Sequence, residues 1–192
     1  MSRGLILIGI DAEEVRKTLA KLEPEKQNKA LQKALKETAK QARERLGEKA
    51  QNSYTVKKVG FKKEMRIRSS SGKNPSATIH SEGEPLPLLR FKYSRAMNTT
   101  RAQILKHGSL KKLERGGIKA FIGKIAPASQ DKKHIAIAQR KGKERLEINE
   151  KFSKSVPSML GSVKHVYGKV EPYIGEDLTR NLEKFVKEAL RR

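Results

Sequence analysis

The stretch His134–Leu160, HIAIAQRKGKERLEINEKFSKSVPSML, decides how the rest of the chain is interpreted. Isoleucine and alanine alternate over residues 135–138, and this period of two predicts a half-buried β-strand. A second alternation, over residues 145–149, predicts another strand directly after it. Between the two, Gly142 offers a residue free to take a positive φ, so the stretch predicts a β-hairpin.

The tip of this predicted hairpin is strongly basic. Four of the six residues in the sequence RKGKER at 140–145 are Lys or Arg. Such a tip repels its own charges and attracts an anionic partner. After the second strand, Val156-Pro157 predicts the start of a short helical turn, because proline suits the first turn of a helix.

Amphipathic helices are predicted on both sides of the strands. Residues 24–50 and 178–189 each place apolar side chains on one face at helical spacing. Further strands are expected at Leu5–Ile8, Ala77–His80, Pro87–Phe91 and Ile118–Ile122, the last of them pairing with the strand at 135–139. The order of elements predicts an α+β fold: an antiparallel sheet with long N-terminal and C-terminal helices packed on it, plus an extended basic loop or arm.

A single domain is expected over residues 1–192, with residues 55–75 as the basic arm or loop. The length suffices for one hydrophobic core. Lysine and arginine dominate from residue 57 to residue 68, and the turn-rich SSSGKNP at 69–75 follows. Because so many charges cannot pack in a core, we expect this segment to be mobile in the free subunit and ordered by neighbours.

The charge of the whole chain points to a polyanionic partner. Lys and Arg number 44 against 21 Asp and Glu, which gives a formal net charge of +23. Nucleic acid is the leading candidate, since contacts with phosphates release counterions without any sequence recognition. A basic surface complementary to an acidic protein is the alternative. The candidate anion-facing or DNA-facing residues are Arg140, Lys141, Lys143, Arg145, Lys57, Lys58, Lys62, Lys63, Arg66 and Arg68.

No residue pattern predicts catalysis, a cofactor or a metal site. The chain has no cysteine, and its four histidines stand at no ligand spacing. Gly117 to Lys124 lacks the glycine spacing and the Ser or Thr of a phosphate loop. The apolar run Leu5–Ile10 is too short for a signal peptide or a membrane span, so we expect a protein made in the cytoplasm and not bound to a membrane.

The order of these segments resembles the minor tail protein Z family of tailed phages, from about Thr55 onwards. The resemblance is strongest from IAQRKGK at 137–143 through Arg145-Leu146 to Ser155-Val156-Pro157. It also rests on the segments Val56-Lys57-Lys58, Ala77-Thr78-Ile79, Gly83 to Leu89, and Gly117 to Ile122 with its Ala120-Phe121-Ile122. The family usually has a proline after the arginine that corresponds to Arg145, where this chain has Leu146.

The resemblance implies a structural virion protein. Members complete the head-proximal end of a phage tail and help to join the tail to the head. The family implies a homo-oligomeric ring, expected to be a hexamer, which contacts other tail or neck proteins and surrounds the path of the DNA. Assembly would take place in the host cytoplasm, and the protein would be located in the virion.

Two other classes are compatible with the same charge. One is an RNA-binding or ribosome-associated basic protein, although the aromatic signature of common RNA-binding modules is missing. The other is an adaptor whose basic face binds an acidic protein.

Overall fold

The structure is a computed structural model of the chain, and it describes residues 2–6, 12–20, 22–71, 74–96, 99–125, 133–142, 144 and 147–191. Two compact units are formed. The first comprises Met1–Ala50, Gly60–Gly83 and Val156–Arg192, and the second comprises Gln51–Val59 and Glu84–Ser155. Neither unit is one continuous stretch of chain. The expectation of a single domain with residues 55–75 as an arm stays a prediction.

The first unit contains the helices of the fold and one small sheet. Its elements are β1 Ser2–Ile6, α1 Ala12–Leu19, α2 Pro24–Ser53, β2 Met65–Ser70, β3 Ser76–Gly83, α3 Val156–Leu160 and α4 Tyr167–Leu190. The last three residues of α2 belong to the second unit. The strands are antiparallel in the order β1-β3-β2.

The core of the first unit lies where α1, α2 and α4 pack together. Leu19 and Leu22 pack with Ala30 and Ala34 of α2, and Leu182 of α4 belongs to the same buried cluster. Burying each of the large aliphatic side chains stabilises the fold by roughly 1.5–3 kcal/mol. Small buried residues of α2 recur every four residues at Ala30, Ala34, Thr38 and Ala42, which allows neighbouring helices to approach closely.

Helix α4 is longer than the sequence predicts. The pattern predicted a helix from residue 178, after Pro172 and Gly175, but α4 begins at Tyr167 and contains Pro172. Proline removes one intrahelical hydrogen bond and usually ends or kinks a helix. Here the added turns bury Val170 and Ile174, and this burial outweighs the cost.

The second unit contains ten short antiparallel strands among its described residues. They are β4 Pro85–Pro87, β5 Lys92–Ala96, β6 Thr99–Gln103, β7 Lys111–Lys112, β8 Glu114–Arg115, β9 Ile118–Lys119, β10 Phe121–Ile125, β11 His134–Arg140, β12 Ile148–Glu150 and β13 Phe152–Ser155. They form the sheets β10-β11-β12, β5-β6-β7, β13-β4 and β8-β9. The α+β class is confirmed, with its strands divided among several small sheets instead of one.

The hairpin region follows the prediction in its pairing but not in its burial. Strand β11 pairs with both β10 and β12, so the predicted hairpin is confirmed. The predicted strand Ile118–Ile122 needs correction, because residues 118–119 form β9, which pairs with β8, and only Phe121 and Ile122 belong to the strand that pairs with β11. Residues 136–139 are all buried, whereas Ile135 is 55% exposed. The prediction of a half-buried strand was therefore wrong. Since neighbouring residues of a strand point to opposite faces, β11 is covered on both faces over these four residues.

One smaller prediction also needs correction. Pro87–Phe91 was predicted as a strand, but Leu88–Arg90 forms a 3₁₀ helix after the three-residue strand β4. The prolines of β4 lack the N–H groups that would extend its ladder. The predicted start of a helical turn at Val156-Pro157 is confirmed by α3.

Candidate polyanion-facing surfaces

The hairpin tip keeps only part of its charge free. Arg140 ends β11 and is exposed, opposite Ile148 of β12. Lys141 is exposed too, but its Nζ lies 3.7 Å from a carboxylate oxygen of Glu147. An exposed pair of this kind is worth little, so Lys141 can exchange Glu147 for another anion. Lys143 and Arg145, the other two predicted residues of the tip, lie outside the described residues.

The turn of the hairpin is closed by a residue that the sequence did not predict. The backbone N–H of Lys141 donates a hydrogen bond to the carbonyl oxygen of Glu147 at 2.9 Å. Glu147 has a φ of 67°, whereas the φ of Gly142 is not in the left-handed range. The prediction that Gly142 supplies the positive φ was therefore wrong, and a non-glycine residue carries that strain.

Lys57 and Lys58 lie together on a turn of the second unit. Both side chains are exposed. The backbone N–H of Lys57 donates to the carbonyl oxygen of Arg90 at 2.7 Å, which fixes this turn to the 3₁₀ helix. Lys58 has a φ of 56°, a left-handed conformation that is unusual for lysine. This turn directs two adjacent cations into solvent from an anchored backbone.

Lys62, in the first unit, is bound to α2. Its ammonium group donates a hydrogen bond to Glu44 and lies 3.7 Å from Glu48. The hydrogen bond and the charge of Glu44, with a smaller contribution from Glu48, raise the pKa of Lys62 above its usual value, against the opposing effect of burial. Gly47 makes room for this arrangement, since an added Cβ would lie 2.6 Å from Cγ of Lys62. The charge of Lys62 is thus largely compensated within the chain.

Arg66 and Arg68 project from one face of the first unit's small sheet. They pair in register with His80 and Thr78 of β3, so the four side chains share that face. A groove of about 140 Å³ lies along it. The residues that line the groove are Lys63, Glu64, Arg66, Arg68, His80 and Glu82. Three cations meet two carboxylates and a histidine here, so the groove is polar with a modest positive excess.

The eight described candidates therefore occupy both units. Lys57, Lys58, Arg140 and Lys141 belong to the second unit, and the remaining four belong to the first. Within the first unit the structure brings Lys63 together with the arginines of β2, while Lys62 serves α2 instead. The predicted role of these residues in facing DNA or another anion remains a prediction.

Sequence reasoning missed an ionic contact between α2 and α4. Arg45 approaches Asp177 with both terminal nitrogens, at 2.7 and 3.1 Å, although 132 residues separate them. Asp177 is 3% exposed and Arg45 37%. The guanidinium carbon of Arg45 also lies 5.3 Å from the ring centre of Tyr173. One turn further along, Asn181 donates to Thr38 at 3.0 Å. No local sequence pattern predicts contacts between residues so far apart in the chain.

Sequence reasoning also missed a contact between a histidine and a glutamate, again because the two residues are far apart in the chain. The Nε2 atom of His134 lies 2.8 Å from a carboxylate oxygen of Glu150 across the β11-β12 ladder. This contact involves two residues only. Among the described residues no group of three or more His, Asp or Glu side chains is placed to hold a metal ion.

The helices in the described ranges include none with the length and hydropathy needed to cross a bilayer.

The fold and these surfaces define a strongly basic α+β protein whose described cations line strand faces, turns and helix surfaces. The chain belongs to the prophage minor tail protein Z (GPZ) family, whose sequence profile matches residues 11–192. The predicted family is thereby confirmed, and the protein is a phage tail structural protein. Searches among curated proteins and among solved structures gave no match.

Proposed function

We propose that this protein completes the head-proximal end of a phage tail and contributes to joining the tail to the head, as an oligomeric ring around the path of the DNA. The observation that carries the proposal is the family match, which extends over nearly the whole chain. A structural role needs no catalytic group. Its partners would be further copies of itself and the neighbouring tail or neck proteins.

Two features of the fold support self-assembly. Among the described strands, β2 and β12 each pair on one side only, so each offers unpaired backbone groups to a neighbouring subunit. Ile148 on β12 and Phe152 just after it are exposed apolar side chains close to one of these edges. Pairing of one of these edges with the other edge of the next subunit is a head-to-tail contact, and repeated contacts of that type form a ring when the rotation between subunits closes.

The charge supports a position beside DNA. A net charge of +23 would crowd like charges around the centre of a ring, and a polyanion in the lumen would offset that repulsion. The exposed cations Arg140, Lys141, Lys57 and Lys58 are suited to such contacts because their side chains are not buried in ion pairs.

The proposal is tested by the morphology of particles made without this protein. A phage with the gene deleted should produce filled heads and separate tails, and a plasmid copy should restore joined particles. A plasmid encoding the charge variant Arg140→Gln, Lys141→Gln, Lys143→Gln and Arg145→Gln should restore assembly but give particles that eject or retain DNA poorly. Normal joined and infectious particles from the deletion would overturn the proposed joining role.

A further inference from the structure

The exposed side of α2 carries a line of cations, which we call the α2 stripe. Its members are Lys26, Lys29, Lys33, Lys36, Lys40 and Arg43. Their spacing alternates between three and four residues, so all six fall on one side of an α-helix. With a rise of 1.5 Å per residue, the stripe is about 26 Å long. The buried residues Thr38, Ala42 and Leu46 lie on the other side. Near the start of the helix, Lys26, Lys29 and Lys33 line a groove together with Ala30 of α2 and with Phe185 and Glu188 of α4.

Acidic residues compensate the stripe only in part. Lys40 lies 3.0 Å from Glu37, and Lys26 lies 3.9 Å from Glu23, a distance at which little energy is gained between exposed groups. Arg43 approaches Glu44 at 4.0 Å. Within the described part of the chain, Lys29 and Lys36 form no ion pair.

The stripe is costly for the isolated helix. Each neighbouring pair of cations is three or four residues apart, and like charges at this spacing destabilise a helix by about 0.2–0.5 kcal/mol per pair. Six cations in a row form five such pairs. A helix surface whose only role is solubility would avoid this repulsion by carrying both positive and negative charges.

Helix α4 of the same unit shows what such a mixed surface looks like. Its exposed charged residues are Lys169, Glu171, Glu176, Arg180, Glu183, Lys184, Lys187 and Glu188, four of each sign. Both helices are long, belong to the same unit and contribute to the same core. The single sign of the α2 stripe is therefore a property of that one surface and does not follow from the basic composition of the chain.

We propose that the α2 stripe binds the phosphate backbone of duplex DNA. A duplex carries one negative charge per about 1.7 Å of its axis, so a straight line of cations some 26 Å long meets a ligand of uniform charge along its whole length. Lysines supply this contact well, since each is a compact charge on a flexible stem that adjusts to phosphate positions. The contact is independent of sequence, and it rests on the proposed function only for the origin of the DNA.

An acidic protein is the weaker candidate for this surface. A protein partner presents carboxylates at discrete positions and usually adds apolar contacts at the centre of the interface. The middle of the stripe, from Lys33 to Lys40, offers charged ends in solvent and no exposed large apolar side chain. This surface chemistry matches a phosphate backbone better than a folded acidic surface.

The test compares two triple variants with the same change in charge. The stripe variant carries Lys29→Gln, Lys33→Gln and Lys36→Gln, and the control carries Lys169→Gln, Lys184→Gln and Lys187→Gln on α4. Each set includes one lysine whose ammonium lies near the ring of Phe185, Lys33 at 6.0 Å and Lys184 at 5.5 Å. The full-length proteins are titrated with a fluorescent 30-base-pair duplex at several salt concentrations, after circular dichroism has confirmed equal folding.

The stripe variant should lower the slope of log Kobs against log salt concentration by about 2.7, from about 0.9 for each of three lost phosphate contacts. The control variant should change it by less than one. Equal losses in both variants, or no loss in either, would overturn the proposal. Retained DNA binding with lost binding to a polyglutamate peptide would also overturn it, since the stripe would then serve an acidic protein.

The result is separable from that of the proposed function. DNA binding by the stripe is measured on the purified protein, whereas tail joining is judged from particle morphology. If deletion abolishes joining but the stripe variant binds DNA with an unchanged slope, the inference about α2 fails alone. If the slope falls as expected but the deletion leaves joined particles, the proposed joining role fails alone.

Discussion

Replacing Arg45 by methionine should destabilise the protein severely. The change removes the guanidinium but keeps an unbranched side chain of similar length over Tyr173. It leaves the carboxylate of Asp177, which is 3% exposed, without its main partner. Removing one member of a buried pair typically costs 3–5 kcal/mol. Arg45 is itself 37% exposed, and Arg180 remains 3.6 Å from Asp177 and can offset some of the cost, so we expect the lower end of this range, about 3 kcal/mol.

In a chain of this size, 1 kcal/mol shifts the unfolding temperature by roughly 2–4 °C, so the expected loss is about 6–12 °C. Urea unfolding followed by circular dichroism at 222 nm measures the same quantity as a free energy. Lys40→Met is the matched control on α2, because Lys40 and its partner Glu37 are both exposed and their pair should contribute less than about 0.5 kcal/mol.

The double variant Arg45→Met, Asp177→Leu distinguishes the cost of leaving the carboxylate of Asp177 unpaired from the cost of losing the other contacts of Arg45. Replacing both charges by apolar side chains is often close to neutral, so this variant should lie within about 1 kcal/mol of the unchanged protein. The reasoning is refuted if Arg45→Met costs no more than the Lys40 control, or if the double variant is less stable than Arg45→Met alone.

Three further predictions concern the turn of the β8-β9 hairpin, a tyrosine and the basic segment. Gly117→Ala should lower the free energy of unfolding by about 1–2 kcal/mol because the φ of Gly117 is 74°. Gly142→Ala should change it by less than about 1 kcal/mol because open space surrounds Gly142. Urea unfolding compares the two variants. Burial and the hydrogen bond to Glu171 raise the pKa of Tyr167 to about 12. Absorbance at 295 nm should therefore show a late-titrating component that Glu171→Gln shifts downwards. The neutral phenol is favoured by folding, and its contribution to stability should be complete below pH 10 and lost between about pH 10 and 12. Trypsin should first cut within residues 56–60, which lie outside strand ladders; a first cut inside β2 would contradict this.

The sequence correctly predicted those elements in which buried residues recur at one regular spacing. The spacing of small and apolar residues in α2 predicted a long helix. Alternation at residues 118–122 predicted a strand beside β11, but only Phe121 and Ile122 of that stretch pair with it. The same alternation failed inside β11, because it cannot tell a strand covered on one face from one covered on both. Helix α4 exceeded its prediction because tertiary burial of Val170 outweighed the local effect of Pro172.

The sequence identified which charged residues were candidates, but it did not predict which of them are paired within the chain and which face solvent. Composition marked Lys62 and Arg66 alike as candidates, but the first is bound by Glu44 of α2 and the second lines an open groove. Such pairs join residues far apart in the chain, and a single sequence carries no signal of them. The α2 stripe appears only when the charged residues of α2 are assigned to sides of the helix.

The position of the protein in the virion tests the central claim most directly. Purified particles carrying a small epitope tag after Arg192 can be labelled with gold-conjugated antibody and imaged by electron microscopy. The account predicts label at a single site on each particle, at the end of the tail next to the head. Label along the tail or at its distal tip, or particles without label although the tagged protein supports growth, would contradict it.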